Sequence, residues 1–325
     1  MNENKLICMS LRKDFSKVGW ALLIYYGIMN VSIILASLIM SAVAAIWIGA
    51  NPNLTPVQVN WIYEKIVDDI NWGYTLAVFA GAIGLFIWKK RWFCFHAIWK
   101  KGKPMSCGSF FGLLAVFISG QALYQLLTPL MEWLFDQMGI SLMESIDAAS
   151  GSSDSLSMFL YVCLLAPIWE EILFRGYVMR TLEPYGKKFA IFASAFLFGV
   201  YHGNVVQSPY AFLVGLVLGY VAMEHNMIWA MVLHMINNLL LGDTLGRLIQ
   251  NLPVVAQEVV FLVVIWGCAL AAVILLICKR KAVVDYFRSG KMHPLCLKSF
   301  FTSPGVLTLT GVIFGLMALG LLLAM

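Results

Sequence analysis

Pro167-Ile168-Trp169-Glu170-Glu171-Ile172-Leu173-Phe174-Arg175-Gly176 sets two adjacent carboxylates and an arginine inside an apolar segment otherwise suited to lipid. A charge near the middle of a bilayer costs at least ~2.5–3.5 kcal/mol on insertion scales, so ionisable residues there pair with one another or serve a function. On a helix turning ~100° per residue, Glu170 and Glu171 face different ways, whereas Glu171 and Arg175, four apart, share a face. Glu171 therefore has an ion-pair partner in its own helix. Glu170 shares its face with Phe174 and has no local partner, which makes it the free carboxylate. Pro167 withholds the hydrogen bond to the carbonyl of Cys163 and predicts a kink at the charged turn, with room for water.

The rest of the chain agrees with a membrane setting. It has 325 residues, 61% hydrophobic and 12% charged, with a mean hydropathy of +0.83, far from the roughly 25% charged content of soluble domains. The fold class expected is an all-α polytopic membrane helix bundle, with no room for a large soluble domain. The formal net charge of +5 reads first as a topology signal and calls for no nucleic acid; the lipid bilayer is the partner it implies. The seven cysteines, Cys8, Cys94, Cys107, Cys163, Cys268, Cys278 and Cys296, show no metal-binding spacing and read as reduced packing residues. The apolar stretch beyond Trp20 is longer than a signal-peptide core and reads as a retained first span.

Nine apolar stretches are long enough to span, at ~17–25 residues each or somewhat less inside a bundle. They run Trp20 to Gly49, Trp72 to Trp88, Ser109 to Leu134, Met158 to Met179, Phe189 to His202, Ala211 to Met223, Ile228 to Leu241, Val259 to Ile277 and Val306 to Met325. With a cytoplasmic N-terminus, 19 of the 22 basic residues fall on the inside, Arg175 lies within a span, and only Lys65 and Arg247 are left outside. The positive-inside rule thus predicts about nine spans in a multi-pass cell-membrane protein, N-terminus in and C-terminus out. Residues 1–157 form an N-terminal region of three spans, 158–241 a core of four, and 242–325 a C-terminal pair. The loop from Asp136 to Ser157 holds Ala-Ala-Ser-Gly-Ser-Ser-Asp-Ser, a flexible flank ahead of the charged helix. The Lys279 to Lys298 stretch reads as a cytoplasmic loop resting on anionic headgroups.

Two more polar sets follow the glutamates. Phe198 and His202 close the fifth span, and His234 and Asn238 lie in the seventh, each pair four residues apart on one face. At ~1.5 Å per residue, Glu170 and His202 come out roughly 20 Å above the inner turn and His234 and Asn238 about 10–17 Å up, so all four can meet near mid-membrane. Gly215 and Gly219 form a small-xxx-small face expected to pack helices. His96, His225 and His293 are expected to be solvated in loops, and the many Met and aromatic residues to face lipid or core.

Glu-Glu-x-x-x-Arg at Glu170, Glu171 and Arg175, then Phe-x-x-x-His at Phe198 and His202, then His-x-x-x-Asn at His234 and Asn238, resembles the signature set of the CAAX protease and bacteriocin-processing family of intramembrane endopeptidases. The resemblance covers Met158 to Leu241. It implies that Glu170 and His202 activate a water for attack on a peptide carbonyl, that His234 and Asn238 stabilise the oxyanion, and that Glu171 with Arg175 supports the site. The implied partner is a peptide or membrane-protein substrate. The family has been discussed as glutamate-type and as metal-dependent. Glu170, His202 and His234 would be the ligands of an alternative zinc site, but the chain lacks His-Glu-x-x-His, and a neutral amide such as Asn238 suits an oxyanion better than zinc. No cofactor is therefore expected. Rival readings of the same charges are an ion- or proton-coupled transporter, against which the missing internal repeats count, and a non-catalytic binding or immunity protein.

Overall fold

The computed structural model describes residues 3–88, 100, 102–150 and 155–323, and among them every regular element is helical. We number the helices in chain order. α1 is Glu3–Ala50, α2 Pro56–Trp88, α3 Cys107–Asp136 and α4 Met143–Ser150. The glutamate-bearing α5 runs over Leu156–Tyr185. α6 is Lys187–Tyr201, α7 Gln207–Glu224, and α8 Met227–Leu239, which continues through a π-helical turn at Leu240–Thr244. α9 (Val254–Cys278), α10 (Arg280–Arg288), α11 (Pro294–Phe301) and α12 (Pro304–Leu323) complete the chain.

Among the described residues, five helices are long and apolar enough to cross a membrane, namely Lys5–Ala50, Cys107–Asp136, Leu156–Tyr185, Val254–Cys278 and Pro304–Leu323. The other four expected stretches lie on helices with shorter apolar parts, Gly73–Ile87 of α2, α6 with 15 residues, α7 with 18 and Met227–Leu239 of α8, so the count of nine is not confirmed by length and composition. At ~1.5 Å per residue α6 and α7 reach about 22 and 27 Å, against a hydrocarbon thickness of roughly 30 Å. Their side chains face other helices more than lipid. In contrast, Ile46 (73%), Leu270 (63%) and Leu323 (79%) on the outer helices are widely exposed, as lipid-facing residues are.

Local sequence explains most of the boundaries. Ser106 caps α3 by accepting from the Ser109 amide at 3.2 Å, and Asn226 caps α8 by accepting from the Trp229 amide at 3.1 Å, each meeting an amide that the helix itself leaves unpaired. The turn between α6 and α7 needs the left-handed backbone of Gly203 (φ 60°), after which Asn204 Oδ1 accepts from the amides of Val206 and Gln207 at 2.9 and 3.0 Å. The stretch around Pro167 takes the form of π-helical turns. Tyr161–Leu165 and Ile172–Met179 are wide turns on either side of the short α-helical piece Ala166–Glu171, and the Ala166 amide reaches the Tyr161 carbonyl. Widening the helix on either side of a missing donor is a common form of local irregularity at functional positions.

The centre is packed by α5 to α8, with Leu173, Phe174, Leu197, Phe198, Leu218 and Leu233 all buried. Gly215 and Gly219 do pack helices: a Cβ on Gly215 would lie 3.1 Å from Phe198 Cδ1, and one on Gly219 would lie 3.0 Å from Ile191 Cγ2. α1 and α12 cross at Gly19 and Gly305, where an added Cβ on either would collide with the other helix's backbone, and the Gly305 amide donates to Ser16 Oγ at 3.2 Å. Trp266 Nε1 on α9 donates to Gln125 Oε1 on α3 at 3.1 Å. The flank expected to be flexible carries α4, and residues 151–154 lie outside the described ones, as do Cys94 and His96. No disulfide joins the described cysteines. His225 is buried instead of solvated, because its Nδ1 donates to the Lys103 carbonyl at 3.0 Å where residues 102–103 lie against the end of α7. His293 stays exposed.

Candidate active site

Glu171 and Arg175 form the expected pair. Arg175 Nη1 lies 3.0 Å from Glu171 Oε1, and both side chains are fully buried. The pair is not confined to its own helix, however. Arg175 Nη2 donates to the Gly215 carbonyl at 3.1 Å, and the guanidinium carbon sits 4.4 Å from the centre of the Phe198 ring. Thus one cation is shared by a carboxylate, a carbonyl of α7 and an aromatic face of α6, which is how a buried charge becomes tolerable.

Glu171 Oε1 also accepts from His234 Nδ1 at 3.1 Å, so α8 is tied into the same buried cluster. With Nδ1 committed in this way, the other ring nitrogen of His234 is turned to Glu170, at 3.8 Å from Oε2. That distance is too long for a direct hydrogen bond. Glu170 keeps 29% of its side chain exposed while Glu171 keeps none. The two neighbouring carboxylates are therefore sorted as their spacing predicts: one is locked and dry, the other reachable.

His202 caps the end of α6, and its Nδ1 donates to the Phe198 carbonyl at 2.8 Å. A carbonyl can only accept, so this bond fixes the proton on Nδ1 and leaves Nε2 as the outward nitrogen. The edge of Phe198 meets both histidines, with ring centres 4.7 Å from His202 and 5.9 Å from His234. The Glu170 charge acts electrostatically on His202 and on Tyr25, Tyr161 and Tyr201 around it. Asn238 is placed differently from the other three. Its Nδ2 donates to the Val162 carbonyl on α5 at 3.0 Å, and its Oδ1 accepts from Asn237 Nδ2 at 3.1 Å.

Several contributors escape a reading of the motifs. α1 brings Tyr25 to within 6.4 Å of the Trp169 ring and 6.0 Å of Tyr201, so an aromatic wall stands beside Glu170. Asn237 sits hidden next to a motif residue, and Phe198 proves to be the hub of the site as well as its spacer. A zinc ion would require Glu170, His202 and His234 all within ~2.0–2.2 Å of one point. As arranged here they do not meet that requirement: among the described residues no group of three or more His, Cys, Asp or Glu side chains could hold a metal ion.

A buried Glu-Arg-His cluster thus lies beside a reachable carboxylate, all carried on helices of the bundle. Residues 152–240 match the sequence model of the family described as type II CAAX prenyl endopeptidase Rce1-like, which bears out the resemblance carried by the motifs. The matched stretch takes in α5 to α8 and every side chain of the cluster. No curated protein and no solved structure matches the chain.

Proposed function

We propose that this chain is an intramembrane endopeptidase that hydrolyses a peptide bond of a peptide or membrane-protein substrate with a water activated by Glu170. The observation that carries the reading is the sorting of the carboxylates, with Glu171 fully buried against Arg175 and His234 and Glu170 left 29% exposed at the edge of the same cluster. Glu170 takes a proton from a water as the water oxygen bonds to the scissile carbonyl carbon. His202, its Nδ1 proton held on the Phe198 carbonyl, presents Nε2 as an acceptor that orients the same water. The carbonyl oxygen becomes an anion, met by His234 Nε2–H and by the second N–H of Asn238. The intermediate then collapses, the C–N bond breaks, and Glu170 returns its proton to the leaving amine.

As an oxyanion donor His234 carries a proton on Nε2 as well as the one its Nδ1 gives to Glu171. Donors fixed in a dry site contribute ~2.7–4 kcal/mol each to the transition state. The reaction so written uses no metal. We infer from the distribution of basic residues that the N-terminus lies in the cytoplasm of a cell-membrane protein, and the class of peptide stays open, prenylated or not.

The test is Glu170→Gln in purified enzyme assayed against a peptide library. Gln keeps the shape and loses the base, so cleavage should fall by ~10²–10⁴-fold with an unchanged unfolding midpoint. A well-folded Gln variant within about tenfold of wild type would remove Glu170 from the role of base.

A further inference from the structure

Asn238 is the far end of a hydrogen-bond chain that starts outside the matched stretch. Gln121 Nε2 on α3 donates to the Tyr210 hydroxyl on α7 at 2.8 Å. That hydroxyl donates to Asn237 Oδ1 at 3.3 Å, Asn237 Nδ2 donates to Asn238 Oδ1 at 3.1 Å, and Asn238 Nδ2 donates to the Val162 carbonyl at 3.0 Å. Every link points the same way, and each donor polarises the next. The direction has a consequence for Asn238. Its oxygen is bound to Asn237 and one N–H to Val162, which fixes the amide and leaves the second N–H for the oxyanion role proposed above.

The α3 end of this chain is built to be close. Gly120 precedes Gln121, and a Cβ there would stand 3.0 Å from Val214 and 3.3 Å from the Tyr210 ring. The Tyr124 ring meets Tyr210 edge-on with centres 5.6 Å apart. Asn237 is only 7% exposed, and a buried amide that is half satisfied costs more than an apolar residue, so the full chain argues for a positional task.

We propose that Gln121, Tyr210 and Asn237 are positioning residues that fix the orientation of the Asn238 amide, making α3 a working part of the site and not only its neighbour in the membrane. The inference rests on the peptidase reading above. Its action runs through Asn238, and that sets the experiment. Purified wild type, Tyr210→Phe, Asn238→Ala and the double variant are compared on a peptide that wild type cleaves. Phe keeps the ring packed on Gly120 and Tyr124 and removes only the hydroxyl. Asn238→Ala should lower kcat by ~10²–10³-fold, as loss of an oxyanion donor does, and Tyr210→Phe by about tenfold, with KM unchanged in both. In the Asn238→Ala background Tyr210→Phe should cost nothing further.

Gln121→Leu, one link further out, should lower kcat in the same direction by less, and it carries the test if Tyr210→Phe unfolds. Full activity of both variants would overturn the inference, as would an equal fold-loss from Tyr210→Phe with and without Asn238, since that is the signature of a general packing effect. A wild type that cleaves no peptide in the library would instead overturn the peptidase reading and this inference with it.

Discussion

Removing Arg175 should unfold the site before it slows the chemistry, and the size of the effect follows from what the guanidinium touches. In Arg175→Ala the fully buried Glu171 loses its partner at 3.0 Å, and the Gly215 carbonyl and the Phe198 face lose theirs. Breaking a buried pair by removing one member costs ~3–5 kcal/mol, because a charge is left without compensation. With roughly 2.1 cal/mol/K of unfolding entropy per residue, a 325-residue chain shifts by about 1.5 °C per kcal/mol, so the unfolding midpoint in detergent should drop by about 4–7 °C. Glu171→Ala should cost a similar amount by stranding Arg175, and it also takes the acceptor from His234 Nδ1 at 3.1 Å. The double replacement Glu171→Leu with Arg175→Met separates fold from function. Apolar residues of similar size often replace a buried pair without net loss, so much of the midpoint should return while activity stays low, since His234 still lacks its anchor. Unchanged midpoints in both single variants, or a double variant whose loss is the sum of the two, would refute the coupled buried pair.

Two further outcomes can be checked without substrate design. Purified enzyme should contain well under one metal ion per chain and keep its activity in chelator, as followed by elemental analysis and peptide cleavage; stoichiometric zinc, with activity lost in chelator and restored by Zn²⁺, would make His202 and His234 ligands. Single cysteines placed at Met143, 51% exposed on α4, and at Ser289, just past α10, in a background without the native ones should label from outside and only after permeabilisation, respectively; labelling of Ser289→Cys from outside intact cells would reverse the orientation.

The parts of the site legible in the sequence are those set by helical arithmetic. Glu171 and Arg175 pair because four residues make about one turn, and the separation of Glu170 from Glu171 follows from a single 100° step. The packing of Gly215 and Gly219 was legible for a similar reason, since small residues four apart clear a path for another helix. What stayed hidden depends on which helix lies opposite. Nothing local to Gln121 or Tyr210 says that they meet, and Asn237 looks redundant beside Asn238 until Tyr210 is seen to fill its acceptor. A polar Gln within the long apolar α3 is the one signal that could have drawn attention, as polar residues there commonly bind another helix. The π turns were legible only as a disturbance at Pro167, whose ring forbids the ordinary ladder without saying what replaces it. Helix length and composition confirm five of the nine expected spans and leave the count open, because hydropathy cannot tell a helix buried among helices from one facing lipid.

His234 turns these separate readings into one device. Its ring is held at Nδ1 by a carboxylate that is itself held by Arg175, and its Nε2 is thereby aimed at the carboxylate next in sequence. Glu170 and Glu171 are adjacent on their helix and point about 100° apart. An imidazole on a facing helix can bridge that angle, since its two nitrogens lie on opposite sides of a rigid ring. The locked glutamate therefore orients the reachable one's neighbour without touching substrate. This places Glu171 and Arg175 in control of the geometry at Glu170 while leaving Glu170 itself unpaired in its own helix, the condition a base must meet to accept a proton from water.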